Sequence, residues 1–139
     1  MPTAARPSRP ADAEDPSPRT RPVAALLLGL EALLLLVTAS YFLVAAVGGG
    51  ITGRLGFGLG VFLLLFAVAV AVAARSVLVK GRFGTGFGIT WQLFQALVGA
   101  SMLRAGMVWQ GGVALVLAIV LFVQLARLVR STPLPSRTD

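Results

Sequence analysis

The chain has 139 residues, 57% of them hydrophobic and 12% charged, with a formal net charge of +7; its mean hydropathy of +0.89 is too high for a water-soluble domain of that length. With no cysteine and no histidine, it lacks disulfides, thiolate and imidazole metal sites, cysteine nucleophiles and histidine bases. Asp12, Glu14, Asp15 and Asp139 lie in polar tails, so Glu31 has no second carboxylate beside it, and the chain reads as no enzyme, with no cofactor and no metal.

Residues 1–22 hold six of the eight prolines, with Arg, Asp, Glu, Ser and Ala interleaved and no apolar period, which predicts a disordered tail. The apolar run after it is about 25 residues long, too long for the core of a secretory signal, so it reads as a retained first span. Four apolar segments follow, at 23–47, 55–75, 86–104 and 108–128, each near the roughly 20 residues that cross about 30 Å of hydrocarbon as a helix. No proline interrupts them, and lipid demands that every backbone amide be paired internally, so uninterrupted helices are expected. The connectors "GGGITGR", "SVLVKGRFGTG" and "AGM" are short, which makes neighbours antiparallel. The predicted fold class is all-α: a polytopic membrane protein, a four-helix transmembrane bundle (23–130) in up-down-up-down order, closed by a short tail at 131–139.

The cations sit at the ends of these segments. Arg6, Arg9, Arg19 and Arg21 precede the first, Arg75, Lys80 and Arg82 lie between the second and third, and Arg127, Arg130 and Arg137 follow the fourth. Only Arg54 and Arg104 fall on the other side, and a ten-to-two bias predicts that both termini and the middle loop are cytoplasmic. The same distribution accounts for the positive charge without nucleic acid, which needs a basic face interleaved with polar and aromatic contacts. Trp109 fits an aromatic anchor at the outer interface.

Two glycine patterns have packing readings. "GGGITG" at 48–53 matches G-x-G-x-x-G in spelling, but it follows a membrane helix rather than a strand, so it lacks the context that cradles a phosphate. Gly56 and Gly60 form a G-x-x-x-G that lets another helix approach closely. "GFGLGVF" and "GTGFGIT" share alternating glycines and nothing more, so no internal repeat is read.

Glu31 interrupts "LLLGLEALLLL" in a span with nine leucines. An acidic group at mid-helix costs roughly 2.5 to 3.5 kcal/mol against about 0.3 to 0.6 returned per leucine, so the span still inserts. At about 1.5 Å per residue, Glu31 lies about 12 Å in from the cytoplasmic end. On the third span Gly88, Gln92, Gln95, Gly99 and Met102 form one stripe, with Trp91 at its flank and Gln92 and Gln95 at about 9 and 13 Å depth. Thr38 follows Glu31 on nearly the same face, and Gln124 of the fourth span lies at a compatible depth. The predicted intramembrane polar cluster is Glu31, Gln92, Gln95, Thr38, Trp91 and Gln124; Gly56, Gly60, Gly88 and Gly99 are the predicted packing positions. In one reading, Glu31 donates to a glutamine oxygen and accepts from an amide, setting helix register. In another it exchanges a proton or binds a cation, and in a third it faces a partner subunit.

"GLEALLLL", "KGRFGTG" and "ITWQLFQAL" behind a basic, proline-rich tail resemble the small uncharacterised four-span integral membrane proteins of actinobacteria, and the scarcity of lysine suits a GC-rich genome. That resemblance implies location and fold and no activity. Helix number and the glutamate of "GLEALL" also resemble the small multidrug resistance transporters, in which that residue couples protons to export; this chain differs in its long tail and strong charge bias. The expected function is a non-catalytic accessory or scaffold subunit in the lipid bilayer, partnered by another membrane protein or by itself, and the alternative is a small proton-coupled transporter or channel using Glu31.

Overall fold

A computed structural model describes residues 17–49 and 53–130. It contains four helices: α1 (Thr20–Val47), α2 (Gly53–Leu78), α3 (Arg82–Arg104) and α4 (Val108–Arg130). The architecture is the all-α bundle expected from the sequence. Each helix but the last begins earlier than its apolar segment, because helical hydrogen bonding continues into the polar ends where hydrophobicity no longer marks it. α1 takes in Thr20, Arg21 and Pro22, residues expected in the tail; proline is tolerated in a first turn, whose amides have no intrahelical acceptor. α2 runs three residues past Arg75, α3 starts four residues before 86, and α4 runs on to Arg130, so that Arg104, Arg127 and Arg130 lie in last turns, where cations complement the helix dipole. The predicted tails at 1–16 and 131–139, and residues 50–52 of the glycine loop, lie outside the described residues.

Tight turns carry the chain from α2 to α3 and from α3 to α4. After α3, Gly106 adopts φ +81° while its amide donates to Leu103 O (3.1 Å) and that of Met107 donates to Met102 O (2.9 Å), a paired closure of the last turn by a left-handed residue. An alanine there would be forced into the left-handed region, and Gly106→Ala is expected to cost about 1 kcal/mol. Thermal unfolding in detergent reads this directly, and an unshifted midpoint would refute it. The same closure ends α2, where Lys80 takes φ +58° and Gly81 N donates to Ser76 O at 2.7 Å. Ser76 Oγ also accepts from Gly84 N (2.9 Å), so one serine ends α2 and satisfies a first-turn amide of α3.

Packing follows chain order. α1 lies along α2 and α3 along α4, α2 joins α3, and α1 meets α4 only along a short line, while α1 and α3 are diagonal. The dry centre is built from Ala24, Leu28, Val70, Val77, Leu121, Leu125 and Leu128, with Trp91 against it. Leu26, Leu33, Val37, Leu65, Val68 and Ile119 are among many large apolar side chains pointing outward, the pattern of a bundle whose surroundings are lipid. α1, α2 and α4 are long and apolar enough to cross a membrane. α3 is not among them, since Trp91, Gln92, Gln95 and its glycines dilute its apolar content. Arg21 Nη1 donates to Val77 O at 2.9 Å, tying the start of α1 to the end of α2.

Candidate functional site

Glu31 is placed inside by the face α1 buries: Ala24, Ala25, Leu28, Glu31, Ala32 and Ala39 are all buried, and small residues on either side of the glutamate let α2 come close. On α3 the buried face is Gly84, Gly88, Trp91, Gln92 and Gly99. Since α1 and α3 are diagonal, long side chains bridge the centre between them. Glu31 comes from one side and Trp91, Gln92 and Gln95 from the other.

Three N–H groups converge on the carboxyl. Gln92 Nε2 donates to Oε2 at 2.9 Å, Trp91 Nε1 to the same oxygen at 3.2 Å, and Gln95 Nε2 to Oε1 at 2.9 Å. Glu31 is 3% exposed and Gln92 1%, so these bonds are shielded from competing solvent. Gln95 Nε2 also reaches Ala114 O (3.4 Å), which adds α4 to the set. The indole is held in turn by rings: Phe66 of α2 lies 5.2 Å from Trp91, and Phe94 5.6 Å from it, centroid to centroid. One carboxyl therefore touches α3 directly, α4 through Gln95 and α2 through Trp91.

The expected exchange, with Glu31 donating to a glutamine oxygen, is not what the arrangement shows: both glutamines turn Nε2 toward it, and Glu31 acts as acceptor through both oxygens. Gln92 Oε1 is left buried with no partner among the described residues. Of the six residues expected in the cluster, Glu31, Trp91, Gln92 and Gln95 are brought together. Thr38 is exposed and its hydroxyl donates to Leu34 O (2.8 Å), closing on its own helix; it borders a cavity next to Glu31 but makes no bond to it. Gln124 is half-buried, and no hydrogen bond joins it to the carboxyl. Thr38→Val and Gln124→Leu are accordingly expected to change stability by no more than about 0.5 kcal/mol, and a larger loss in denaturant unfolding would show that they belong to the seam after all.

Gly56, Gly60, Gly88 and Gly99 are all buried, as their packing role requires. A Cβ on Gly60 would stand 2.7 Å from Leu43 of α1, and one on Gly88 2.8 Å from Leu125 of α4. Gly99 faces Gly111 of α4 across a backbone approach in which either Cβ would meet the other's carbonyl, at 3.1 and 2.7 Å. Three participants were not singled out from sequence: Phe66, Gly84 and Gly111. The pair Phe62 and Phe66, four residues apart in the apolar middle of α2, was the available signal for the first. Gly84 and Gly111 carried none beyond being glycines in a glycine-rich chain. Among the described residues there is no group of His, Cys, Asp or Glu able to hold a metal ion. Compared with known proteins, the chain matches no family model, no curated protein and no solved structure.

Proposed function

We propose that this protein is a non-catalytic accessory or scaffold subunit of a bacterial inner membrane, with both termini cytoplasmic, whose Glu31 seam locks two helical hairpins into one rigid surface for another membrane protein. The observation that carries this reading is the use of the carboxyl: it accepts three hydrogen bonds, all from α3, so its polar capacity is turned inward and serves to hold the bundle together. Buried polar groups between membrane helices commonly set register in this way. The charge bias supports the orientation: Arg19, Arg21, Arg75, Lys80, Arg82, Arg127 and Arg130 all lie at one end, against Arg54 and Arg104 at the other. The resemblance to small actinobacterial membrane proteins is in keeping with the same setting. A mild-detergent pull-down at native expression level, with stoichiometry by native mass, tests the reading. A membrane protein recovered in fixed ratio is the expected result; recovery alone, or with copies of itself only, would refute an accessory role.

One observation favours a second reading, a small proton-coupled transporter or channel: Glu31, though buried, borders a cavity of about 390 Å³. In that case Glu31→Gln abolishes flux in reconstituted vesicles, and equal flux in the variant removes the carboxyl from transport.

A further inference from the structure

The end of the bundle that carries the α2–α3 turn holds charge of one sign. Arg19, Arg75, Lys80, Arg82, Arg127 and Arg130 are exposed there, while Arg21 is engaged with Val77 O. The described residues contain one carboxylate, Glu31, which is buried and bonded to α3. The exposed cations therefore share a surface with no anion among the described residues to pair with them. The α2–α3 turn adds apolar groups to that charge. Leu78, Val79 and Phe83 are 55%, 70% and 55% exposed and alternate with Lys80 and Arg82. A soluble polyanion bound here would leave three large apolar side chains in water. A bilayer interface takes both kinds, the apolar groups at the acyl boundary and the cations at the level of the phosphates.

The backbone of the same turn is a second, separate observation. α2 closes with Lys80 N donating to Val77 O (3.3 Å) and Gly81 N to Ser76 O (2.7 Å); α3 closes identically, with Gly106 N donating to Leu103 O (3.1 Å) and Met107 N to Met102 O (2.9 Å). The left-handed position of this closure is Gly106 (φ +81°) after α3 and Lys80 (φ +58°) after α2. Glycine holds that conformation without strain and lysine does not, so a strained residue stands where the sister turn has an unstrained one. Such strain, kept at a charged position, points to a use for the charge. We propose that this end of the bundle binds the phosphate headgroups of anionic phospholipids, with Lys80 and Arg82 as the cations at the phosphate and Val79 and Phe83 at the acyl boundary beside them. Basic clusters next to a membrane helix attract anionic lipid in this way. The proposal rests on the bundle lying in a bilayer and is independent of the accessory role.

Incorporation of the full chain into nanodiscs of phosphatidylcholine alone tests the bilayer premise apart from any headgroup preference. Native mass spectrometry of the chain in detergent, titrated with phosphatidylglycerol or with phosphatidylcholine of the same acyl chains, reads the preference itself. Phosphatidylglycerol is expected to bind about tenfold more tightly. Lys80→Gly is the diagnostic variant: it should weaken phosphatidylglycerol about fivefold while the thermal midpoint stays level or rises, because the strain is relieved. A merely structural role for Lys80 would move the midpoint and leave the lipid preference alone. Arg82→Gln, at a position with ordinary helical backbone, should show a similar loss of lipid affinity, and Arg104→Gln at the opposite end should show none. Inorganic phosphate should fail to displace the lipid. Equal affinity for the two lipids, unchanged phosphatidylglycerol binding in both Lys80→Gly and Arg82→Gln, or an equal loss in Arg104→Gln overturns the proposal. Full displacement by inorganic phosphate overturns it as well, since the surface would then take a free anion rather than a lipid.

Discussion

Glu31→Leu is expected to lower the stability of the bundle by about 2 to 4 kcal/mol, because it strands three donors at the dry centre. Trp91 Nε1, Gln92 Nε2 and Gln95 Nε2 all spend hydrogen bonds on this one carboxyl, and among the described residues only Gln95 has another acceptor, the long contact to Ala114 O. Within membranes a single side-chain bond averages about 0.6 kcal/mol and reaches about 1.7, so three bonds lost together account for the range. Glu31→Gln should behave differently. Its carbonyl can replace Oε2 and keep Trp91 and Gln92, while its amide faces Gln95, whose own amide turns over to present Oε1. All three bridges survive with one reversed, and the expected loss is about 1 kcal/mol or less. Unfolding by denaturing detergent, followed by far-UV dichroism, measures both variants in one series. Equal stability of Glu31→Leu and the parent chain would show that the bundle does not depend on the seam.

The fold was legible because lipid leaves few options: apolar runs of helical length without internal proline, joined by short links, admit little besides a helical bundle. The seam was legible through the helical repeat. Gln92 and Gln95 are three residues apart on one face of α3 at the depth of Glu31, and Trp91 adjoins them, so spacing alone placed all four together. Thr38 was misjudged for a physical reason. Seven residues along a helix return to nearly the same face, but a hydroxyl on a membrane helix reaches its own carbonyl four residues back sooner than a group across the bundle. Gln124 had compatible depth, and depth does not fix rotation about the helix axis. The direction of the hydrogen bonds was likewise beyond reach, since a carboxamide offers a donor and an acceptor from the same position and only the packing around Gln92 and Gln95 chooses between them. Helix ends were misplaced where the predicted boundary was set at the charged Arg75 and after the glycine-rich stretch before 86, while the hydrogen-bonded helices run on to Leu78 and begin again at Arg82.

Gly84→Ala is the second large effect, expected to cost about 2 to 3 kcal/mol. A Cβ at Gly84 would stand 2.5 Å from Ala73 O and 2.6 Å from Val77 N, both backbone atoms of α2, so no side chain can swing aside and the two helices must separate. Gly86, two residues along the same helix, has nothing within 4 Å of its Cβ position, and Gly86→Ala should leave stability unchanged or raise it by up to about 1 kcal/mol through helix propensity. The contrast separates a steric approach from any general dislike of alanine in α3; equal effects in both variants would remove the close crossing as the cause. Gly84 and Glu31 also hold the same boundary. α2 against α3 and the carboxyl seam are the main joints between the α1–α2 hairpin and the α3–α4 hairpin, so loosening one removes part of what the other can hold. The double variant Gly84→Ala with Glu31→Leu is therefore expected to lose less than the two single losses combined, by about 0.5 kcal/mol or more. Strict additivity would mean that the hairpins dock through independent contacts, and that the seam tunes α1 without governing the assembly of the bundle.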